Sequence, residues 1–220
     1  MATGIFILVA YLIGSISFAV IVSRMFGLPD PHSYGSGNPG ATNVLRTGRK
    51  TAAALTLLGD TGKGWVAVMA AKYFAAEFGV GLLGISLAAF AAFIGHLYPV
   101  FFRFKGGKGV ATALGILWAL DIWLGAASLA SWLVIMLFFR IVSLASIVAA
   151  LFASFYAAWL FGTSSPLLPG VLALSVMLIV RHAANIRRLL EGTESRIGAG
   201  KPAAQGAQEA RADVQDPGKS

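Results

Sequence analysis

Residues Phe104 to Thr112 read FKGGKGVAT, a stretch with two lysines and three glycines between long apolar runs. Glycine has no Cβ atom, so backbone N–H groups there can approach an anion closely, and the lysine ammonium groups supply the opposite charge. The flanking runs, Leu82–Phe102 and Val110–Leu120, are typical of membrane helices. The stretch therefore predicts a phosphate-binding loop at the edge of a membrane.

The whole chain has the composition of a polytopic membrane protein. Of its 220 residues, 57% are hydrophobic and 12% are charged. Several apolar runs are long enough to cross a hydrocarbon layer of about 30 Å. Cysteine is absent, which excludes disulfides and thiolate metal ligands, and the three histidines are far apart in the sequence. We therefore expect neither a metal site nor another cofactor.

Seven apolar segments predict an all-α membrane bundle of about seven transmembrane helices. The segments are Ile5–Val22, Thr51–Phe78, Leu82–Phe102, Val110–Leu120, Ile122–Phe139, Ser143–Phe161 and Leu167–Val180. Most Arg and Lys residues of the loops then fall on one side of the membrane, which the positive-inside rule makes cytoplasmic. We therefore expect the N-terminus outside and the C-terminus in the cytoplasm. The net charge of +8 is then explained by the cytoplasmic loops, and we expect no nucleic-acid partner.

The chain is predicted to contain one membrane domain and a tail. Residues 1–197 hold all the apolar segments, whereas Ala, Gly, Gln and mixed charge dominate residues 198–220. Such a composition cannot bury enough apolar surface to fold. We expect the tail to be disordered and cytoplasmic.

The loop after the first span carries GSGNPGATNVLR, from Gly35 to Arg46. Its backbone N–H groups, hydroxyls and amides can surround phosphoryl oxygens, and Arg46 can hold a phosphate through two hydrogen bonds. A connector whose polar side chains face water is the alternative interpretation. The candidate donors of this loop are Ser36, Asn38, Gly40, Thr42 and Asn43.

Ionisable residues inside the predicted spans have a structural interpretation. Asp60 and Lys63 are spaced i, i+3, so they share a helix face and can form an ion pair within the bundle; direct contact with a substrate is the alternative. The surrounding run GDTGKG superficially resembles a nucleotide-binding P-loop, but no strand precedes it and Gly64 follows the lysine, so we reject that function. His96, at the end of the third span, is predicted to be a packing residue.

Other polar and basic residues lie near the cytoplasmic ends of the spans. Lys105 and Lys108 bind either an anion or lipid headgroups, and the interleaved glycines favour the anion. Ser143 begins a span, where a hydroxyl can simply cap the helix. His182 and Asn185 share one helical face and can bind phosphate or act as acid and base. A surface helix resting on anionic lipid is the alternative there.

Three segments together resemble the signature segments of the bacterial acyl-phosphate:glycerol-3-phosphate acyltransferases. They are SGNPGATN with Arg46, GHLYPVFFRFKGGKGVAT and HAANIRRLLEGTE, within a resemblance that covers about residues 4–198. The resemblance implies a multi-pass enzyme of the bacterial inner membrane with a cytoplasmic active site. Its reaction would transfer a fatty acyl group from acyl phosphate to the 1-hydroxyl of glycerol 3-phosphate. The products would be lysophosphatidic acid and inorganic phosphate, in the first acylation of phospholipid synthesis.

The resemblance also implies roles for individual residues. The expected catalytic residues are Ser36, Arg46, Lys105, His182 and Asn185. The expected substrate-binding residues are Asn38, Gly40, Thr42, Asn43, Gly106, Gly107, Lys108 and Ser143. Glu194 would support the fold of the third segment, and the other expected structural residues are Asp60, Lys63 and His96.

Acyl phosphate has a good leaving group, so such an enzyme needs to position two phosphates, stabilise developing charge and accept one proton. We predict direct attack by the glycerol 3-phosphate hydroxyl, with a substrate phosphate oxygen taking the proton and His182 binding phosphate. His182 as general base is the rival mechanism.

An organic-phosphate transporter is the alternative function. A second alternative function is an acyltransferase that uses a thioester donor. Acyltransferases of that kind carry a histidine followed five residues later by aspartate, and the absence of this pattern argues against it.

Overall fold

A computed structural model describes residues 1–198, and every regular element among them is helical. A short 3₁₀ helix, Val100–Phe102, lies between the fifth and sixth α-helices. The predicted disordered tail lies outside the described residues apart from Gly198. The α-helices are α1 (Ala2–Gly14), α2 (Phe18–Met25), α3 (Ala41–Leu45), α4 (Lys50–Ala75), α5 (Leu82–Leu97), α6 (Val110–Leu120), α7 (Ile122–Phe139), α8 (Val142–Phe161), α9 (Leu168–Arg181) and α10 (Ala183–Leu190).

The prediction of an all-helical membrane protein is confirmed, and each of the seven apolar segments is largely helical. By length and composition, however, four stretches of the described chain can cross a membrane, or five if α9 and α10 form one span bent by 57°. The helix α6 has only 11 residues, and α4 has charged residues at its middle. The four stretches are Ala2–Met25, Leu82–Phe102, Ile122–Phe139 and Val142–Phe161.

The first predicted span is interrupted between α1 and α2. Ser17 there has an extended backbone, with φ −91° and ψ 97°. The carbonyl oxygen of Ile16 accepts a hydrogen bond from Lys63 Nζ at 2.6 Å. An interruption at membrane depth is tolerated where the freed backbone groups find partners within the protein. The break therefore gives a buried lysine of α4 an acceptor that a continuous helix would not offer.

The central helix is α4, which packs against α1, α2, α3, α5 and α6. It approaches α6 most closely at Gly64 and Gly115, where a Cβ atom would collide with the backbone of the facing helix. Small residues of this kind let membrane helices pack backbone to backbone. In contrast, α7 and α8 pack against each other and expose apolar side chains such as Phe138 and Phe155, as lipid-facing helices do.

Candidate active site

The first loop, residues 30–46, is organised around the side chain of Asn43, which is only 3% exposed. Its Oδ1 atom accepts hydrogen bonds from the backbone N–H of Ser36 at 3.0 Å and from Ser36 Oγ at 3.3 Å. Its Nδ2 atom donates to the carbonyl oxygens of Pro31 at 2.8 Å and Tyr34 at 3.1 Å. The loop itself thus uses the donors and acceptors of the predicted substrate ligand Asn43, which fixes the position of Ser36.

The other predicted residues of the first loop lie on its surface. The side chain of Arg46 covers Gly35, since a Cβ atom built there would lie 3.1 Å from Arg46 Nη1. Ser36 and Thr42 are exposed, and Asn38 lies next to Gly40 at the start of α3. The loop therefore presents the guanidinium of Arg46 next to Gly35, and the residues Ser36 and Thr42 are exposed.

The glycine loop, residues 103–109, is held through its backbone carbonyl groups. His32 Nε2 lies 2.9 Å from the carbonyl oxygen of Lys105. Arg181 Nη2 donates to the carbonyl oxygens of Gly106 and Gly107, each at 3.1 Å. The N–H of Gly107 donates in turn to the carbonyl of His96 at 3.2 Å. Contacts from three other parts of the chain thus fix this loop.

Gly107 is also the point where the two loops touch. A Cβ atom at this position would lie 2.7 Å from the carbonyl oxygen of Pro39 and would collide with the ring of His96. Separations under 3.0 Å are essentially never found for real Cβ atoms, so only glycine fits here. The first loop and the glycine loop therefore form adjoining walls of one site.

Several backbone donors of the glycine loop are left for a ligand. Within residues 1–198, no protein acceptor lies opposite the N–H groups of Gly106, Lys108 and Gly109. The helix α6 begins directly after Gly109, and the first N–H groups of a helix have no partner within the helix. Unpaired N–H groups at a helix start, reached through glycines, bind phosphate groups well.

The third segment, residues 182–194, contacts the glycine loop through Lys108. Lys108 Nζ donates to Asn185 Oδ1, and Asn185 Nδ2 donates to Glu194 Oε1. Glu194 also accepts hydrogen bonds from Ser143 Oγ at 2.7 Å and from Arg188 Nε at 2.6 Å. Glu194 is therefore the hub that joins α8, α10 and the glycine loop, and the hydroxyl proton of Ser143 is already engaged.

His182 is 2% exposed and lies at the bend between α9 and α10. Its Nδ1 atom is 2.8 Å from the carbonyl oxygen of Leu178, which can only accept, so Nδ1 carries a hydrogen. In the part of the chain that the structure describes, Nε2 has no hydrogen-bond partner. That atom is available to a substrate.

The electrostatics show which cations share the site. Burial lowers the pKa of Lys108 to about 8, and the carboxylate of Glu194 opposes this shift. Arg188, Arg181 and Arg46 lower the pKa of Lys108 further by repulsion. Glu194 has a lowered pKa because hydrogen bonds from Asn185, Ser143 and Arg188 outweigh its burial. The site thus gathers positive charge in excess of the one carboxylate that faces Lys108.

The predicted ion pair of Asp60 and Lys63 forms inside the bundle, with its oxygen and nitrogen 2.8 Å apart. His96 Nδ1 lies 3.7 Å from Asp60 Oδ1 and 3.1 Å from Thr112 Oγ1. His96 in turn touches Gly107 with its ring and its carbonyl. This cluster contacts the glycine loop through His96, and it contains the ion pair that the i, i+3 spacing predicts.

The chain resembles known acyltransferases over most of its length. The family model described as glycerol-3-phosphate acyltransferase matches residues 4–192. This chain belongs to the glycerol-3-phosphate acyltransferase family. A relative of that name from Ralstonia nicotianae is 62% identical over 197 residues, which cover 90% of this chain and 95% of the relative. Another, from Thiobacillus denitrificans, is 62% identical and covers 87% and 96%.

Two crystal structures of PlsY (YgiH), an integral membrane glycerol 3-phosphate acyltransferase, resemble this acyltransferase. The form with glycerol 3-phosphate superposes with a TM-score of 0.82, and the form with lysophosphatidic acid with 0.81. Both are 38% identical and cover 90% of this chain and 96% of PlsY. The resemblance inferred from the three signature segments is therefore confirmed at the level of family and fold.

Sequence reasoning missed two residues that shape the site of this acyltransferase. In the sequence, Arg181 is one of the basic residues at the ends of the predicted spans, and His32 is one of three histidines that lie far apart. Neither was predicted to belong to the site. Both bind carbonyl groups of the glycine loop, which lie more than 70 positions away in the chain. The position of Arg181 directly before His182, where the third segment begins, was the one available signal for its place in the site.

Proposed function

We propose that this acyltransferase moves a fatty acyl group from acyl phosphate to the 1-hydroxyl of glycerol 3-phosphate. Lysophosphatidic acid and inorganic phosphate are the products. The observation that carries this proposal is the convergence of the first loop, the glycine loop and the third segment on one basic site around Lys108. The glycerol 3-phosphate and lysophosphatidic acid forms of PlsY support the acceptor and the product.

The site offers donors for two phosphate groups. The N–H groups of Gly106, Lys108 and Gly109 and the start of α6 can hold one of them. Ser36 and the guanidinium of Arg46, on the adjoining wall, can hold the other. Two reactants fixed side by side react as if within one molecule, which can supply much of the rate enhancement.

In the proposed reaction, the 1-hydroxyl oxygen of glycerol 3-phosphate attacks the acyl carbonyl carbon directly. The new ester C–O bond forms, the bond between that carbon and the phosphate oxygen breaks, and phosphate leaves. The hydroxyl proton passes to a substrate phosphate oxygen, so no acyl-enzyme forms. Lys108 and Arg46 stabilise the charge that develops on the leaving phosphate.

His182 has two possible roles, which differ in the state of Nε2. A phosphate ligand donates from Nε2, whereas a general base accepts the hydroxyl proton there. Because Nδ1 already carries a hydrogen, donation from Nε2 requires the imidazolium form. Burial, Lys108 and Arg181 lower the pKa of His182, whereas a bound phosphate dianion raises it again, and on that ground we favour the phosphate ligand. A His182→Gln variant that retains substantial turnover would argue against the base. Loss of turnover with unchanged substrate affinity would support it.

We propose that residues 1–197 form the catalytic domain, in the inner membrane of a bacterium, with seven crossings. The N-terminus then lies outside, and the site faces the cytoplasm. Eleven residues make α6 roughly 16 Å long, about half of a hydrocarbon layer of about 30 Å. On this topology the glycine loop at the start of α6 lies below the cytoplasmic membrane surface.

The topology can be tested because the chain has no cysteine. Single cysteines at Arg49 and at Glu77 would be labelled with a membrane-impermeant maleimide in sealed vesicles of known orientation. We expect Arg49→Cys to react from the cytoplasmic side and Glu77→Cys from the opposite side. Labelling of both from the same side would overturn the seven-crossing arrangement.

The activity is tested with the purified protein in lipid, given glycerol 3-phosphate and palmitoyl phosphate. Inorganic phosphate and lysophosphatidic acid are followed together, with and without a chelator, and palmitoyl-CoA is supplied in a parallel reaction. We expect equal release of both products from palmitoyl phosphate, unaffected by the chelator. Product from palmitoyl-CoA alone would indicate a thioester donor, and no product from either would favour an organic-phosphate transporter.

A further inference from the structure

We propose that His32 is a positioning residue that fastens the first loop to the glycine loop and so directs a phosphate-binding N–H group into the site. The inference rests on the proposed function. His32 Nε2 lies 2.9 Å from the carbonyl oxygen of Lys105, and His32 Nδ1 lies 2.6 Å from Asp30 Oδ1. The ring thus bridges two segments that are 73 positions apart in the chain.

Both ring nitrogens of His32 face hydrogen-bond acceptors. A backbone carbonyl oxygen can only accept a hydrogen bond, and so can an ionised carboxylate. The backbone N–H of His32, which donates to Asp30 at 2.9 Å, is the largest cause that holds the pKa of Asp30 below its ordinary value, so Asp30 is ionised. The imidazolium form can donate to both of these acceptors at once, whereas a neutral ring can donate to one of them.

The geometry of the peptide bond links this bridge to phosphate binding. The carbonyl of Lys105 and the N–H of Gly106 belong to the same planar, trans peptide unit, so they point in opposite directions. When His32 holds the carbonyl on one side, the N–H of Gly106 is directed to the other. That N–H is one of the loop donors without a protein acceptor among residues 1–198.

Arg181 does the same for the next free donor. It binds the carbonyl oxygen of Gly107, whose peptide unit contains the N–H of Lys108. The N–H groups of Gly106 and Lys108 thus each follow directly after a carbonyl group that His32 or Arg181 holds. His32 is the more informative of the two for a test, because its side chain is 26% exposed and its removal leaves no large cavity in the bundle.

The test compares His32→Gln with His32→Arg. Glutamine is neutral and has one donor group, whereas arginine is always charged and has several donors, so it can face both acceptors. The matched control is Arg49→Gln, which removes an exposed cation after the first loop. The KM values for glycerol 3-phosphate and for palmitoyl phosphate are measured separately, because the loop can hold the phosphate of either one.

We expect His32→Gln to raise one of the two KM values by about 10-fold or more, as loss of a charged hydrogen bond does. The value of kcat should change less, since the loop binds phosphate before and during the reaction. His32→Arg should restore that KM. Unchanged KM values in His32→Gln, or a variant His32→Arg as defective as His32→Gln, would overturn the proposal.

A second measurement does not depend on activity. Hydrogen–deuterium exchange of the substrate-free protein should be faster over residues 105–109 in His32→Gln than in the unsubstituted protein, and unchanged in α5. Equal exchange over the glycine loop would show that His32 does not hold it. If the unsubstituted protein is inactive with palmitoyl phosphate, the proposed function fails, whereas the exchange result still decides the role of His32.

Discussion

Two groups of charged residues in this protein differ in how their charges are balanced. Asp60 and Lys63 form an ion pair inside the bundle, with side chains 4% and 2% exposed. In contrast, Lys108 lies among other cations, and the carboxylate that faces it, Glu194, is already paired with Arg188. A buried pair whose two charges balance serves the structure, whereas an excess of positive charge in a site serves an anionic ligand.

This difference predicts opposite results for substitutions in the two groups. Changes in the interior pair should alter the free energy of unfolding more than substrate binding. Changes among the cations of the site should alter catalysis and leave folding nearly unchanged. Four experiments test the distinction.

Asp60→Asn should have the largest effect. It leaves the ammonium group of Lys63 buried without its counter-ion, which lowers the free energy of unfolding by about 3–5 kcal/mol. Denaturant unfolding in detergent micelles measures this loss. A second substitution, Lys63→Met, should recover part of it because it removes the unpaired charge. An unaltered stability together with a raised KM would instead make Asp60 part of the binding site.

Arg46→Gln should cost catalysis rather than stability. Loss of one charged donor at a reacting phosphate lowers kcat/KM by about 100- to 1000-fold. Steady-state rates with both substrates and the melting temperature are measured together. Arg49→Gln, three positions further along and also exposed, is the control and should retain its activity. Equal losses in the two variants would mean that only the general charge of this loop matters.

The pKa of Lys108, lowered to about 8, predicts a pH dependence of substrate binding. In the proposed site the protonated amine binds phosphate, so the KM for glycerol 3-phosphate should be steady between about pH 7 and 8 and rise up to about 10-fold per pH unit above pH 8. The second ionisation of a phosphate monoester, near about pH 6, is complete over this range. Lys108→Arg should flatten the rise, and a rise of equal steepness in that variant would assign it to another group.

Ser143→Ala should have the smallest effect. The hydroxyl of Ser143 donates to Glu194, so its loss should lower the free energy of unfolding by about 1 kcal/mol. Both KM values should stay close to those of the unsubstituted protein. A marked rise of either KM would show that Ser143 contacts a substrate directly, as the resemblance to the family implies.

Much of the site was predictable because its residues lie in three continuous segments. The glycines and lysines of residues 104–109 and the donors of residues 35–46 are recognisable from their chemistry alone. The division of labour within these segments was not. Asn43 and Ser143 look like substrate ligands in the sequence, yet the structure engages Asn43 with its own loop and Ser143 with Glu194. Which polar group is already bound depends on neighbours that only folding brings close.

The sequence by itself determined the helices, the pairing of Asp60 with Lys63 and the family. Apolar runs long enough to cross a membrane favour helices, and on a helix an i, i+3 spacing places two side chains on one face, so both features can be read locally. Only the tertiary structure decided how the glycine loop is held, and why the first span breaks where Lys63 meets Ile16. His32 and Arg181 reach carbonyl groups more than 70 positions away, and such contacts follow from packing, which no local pattern records.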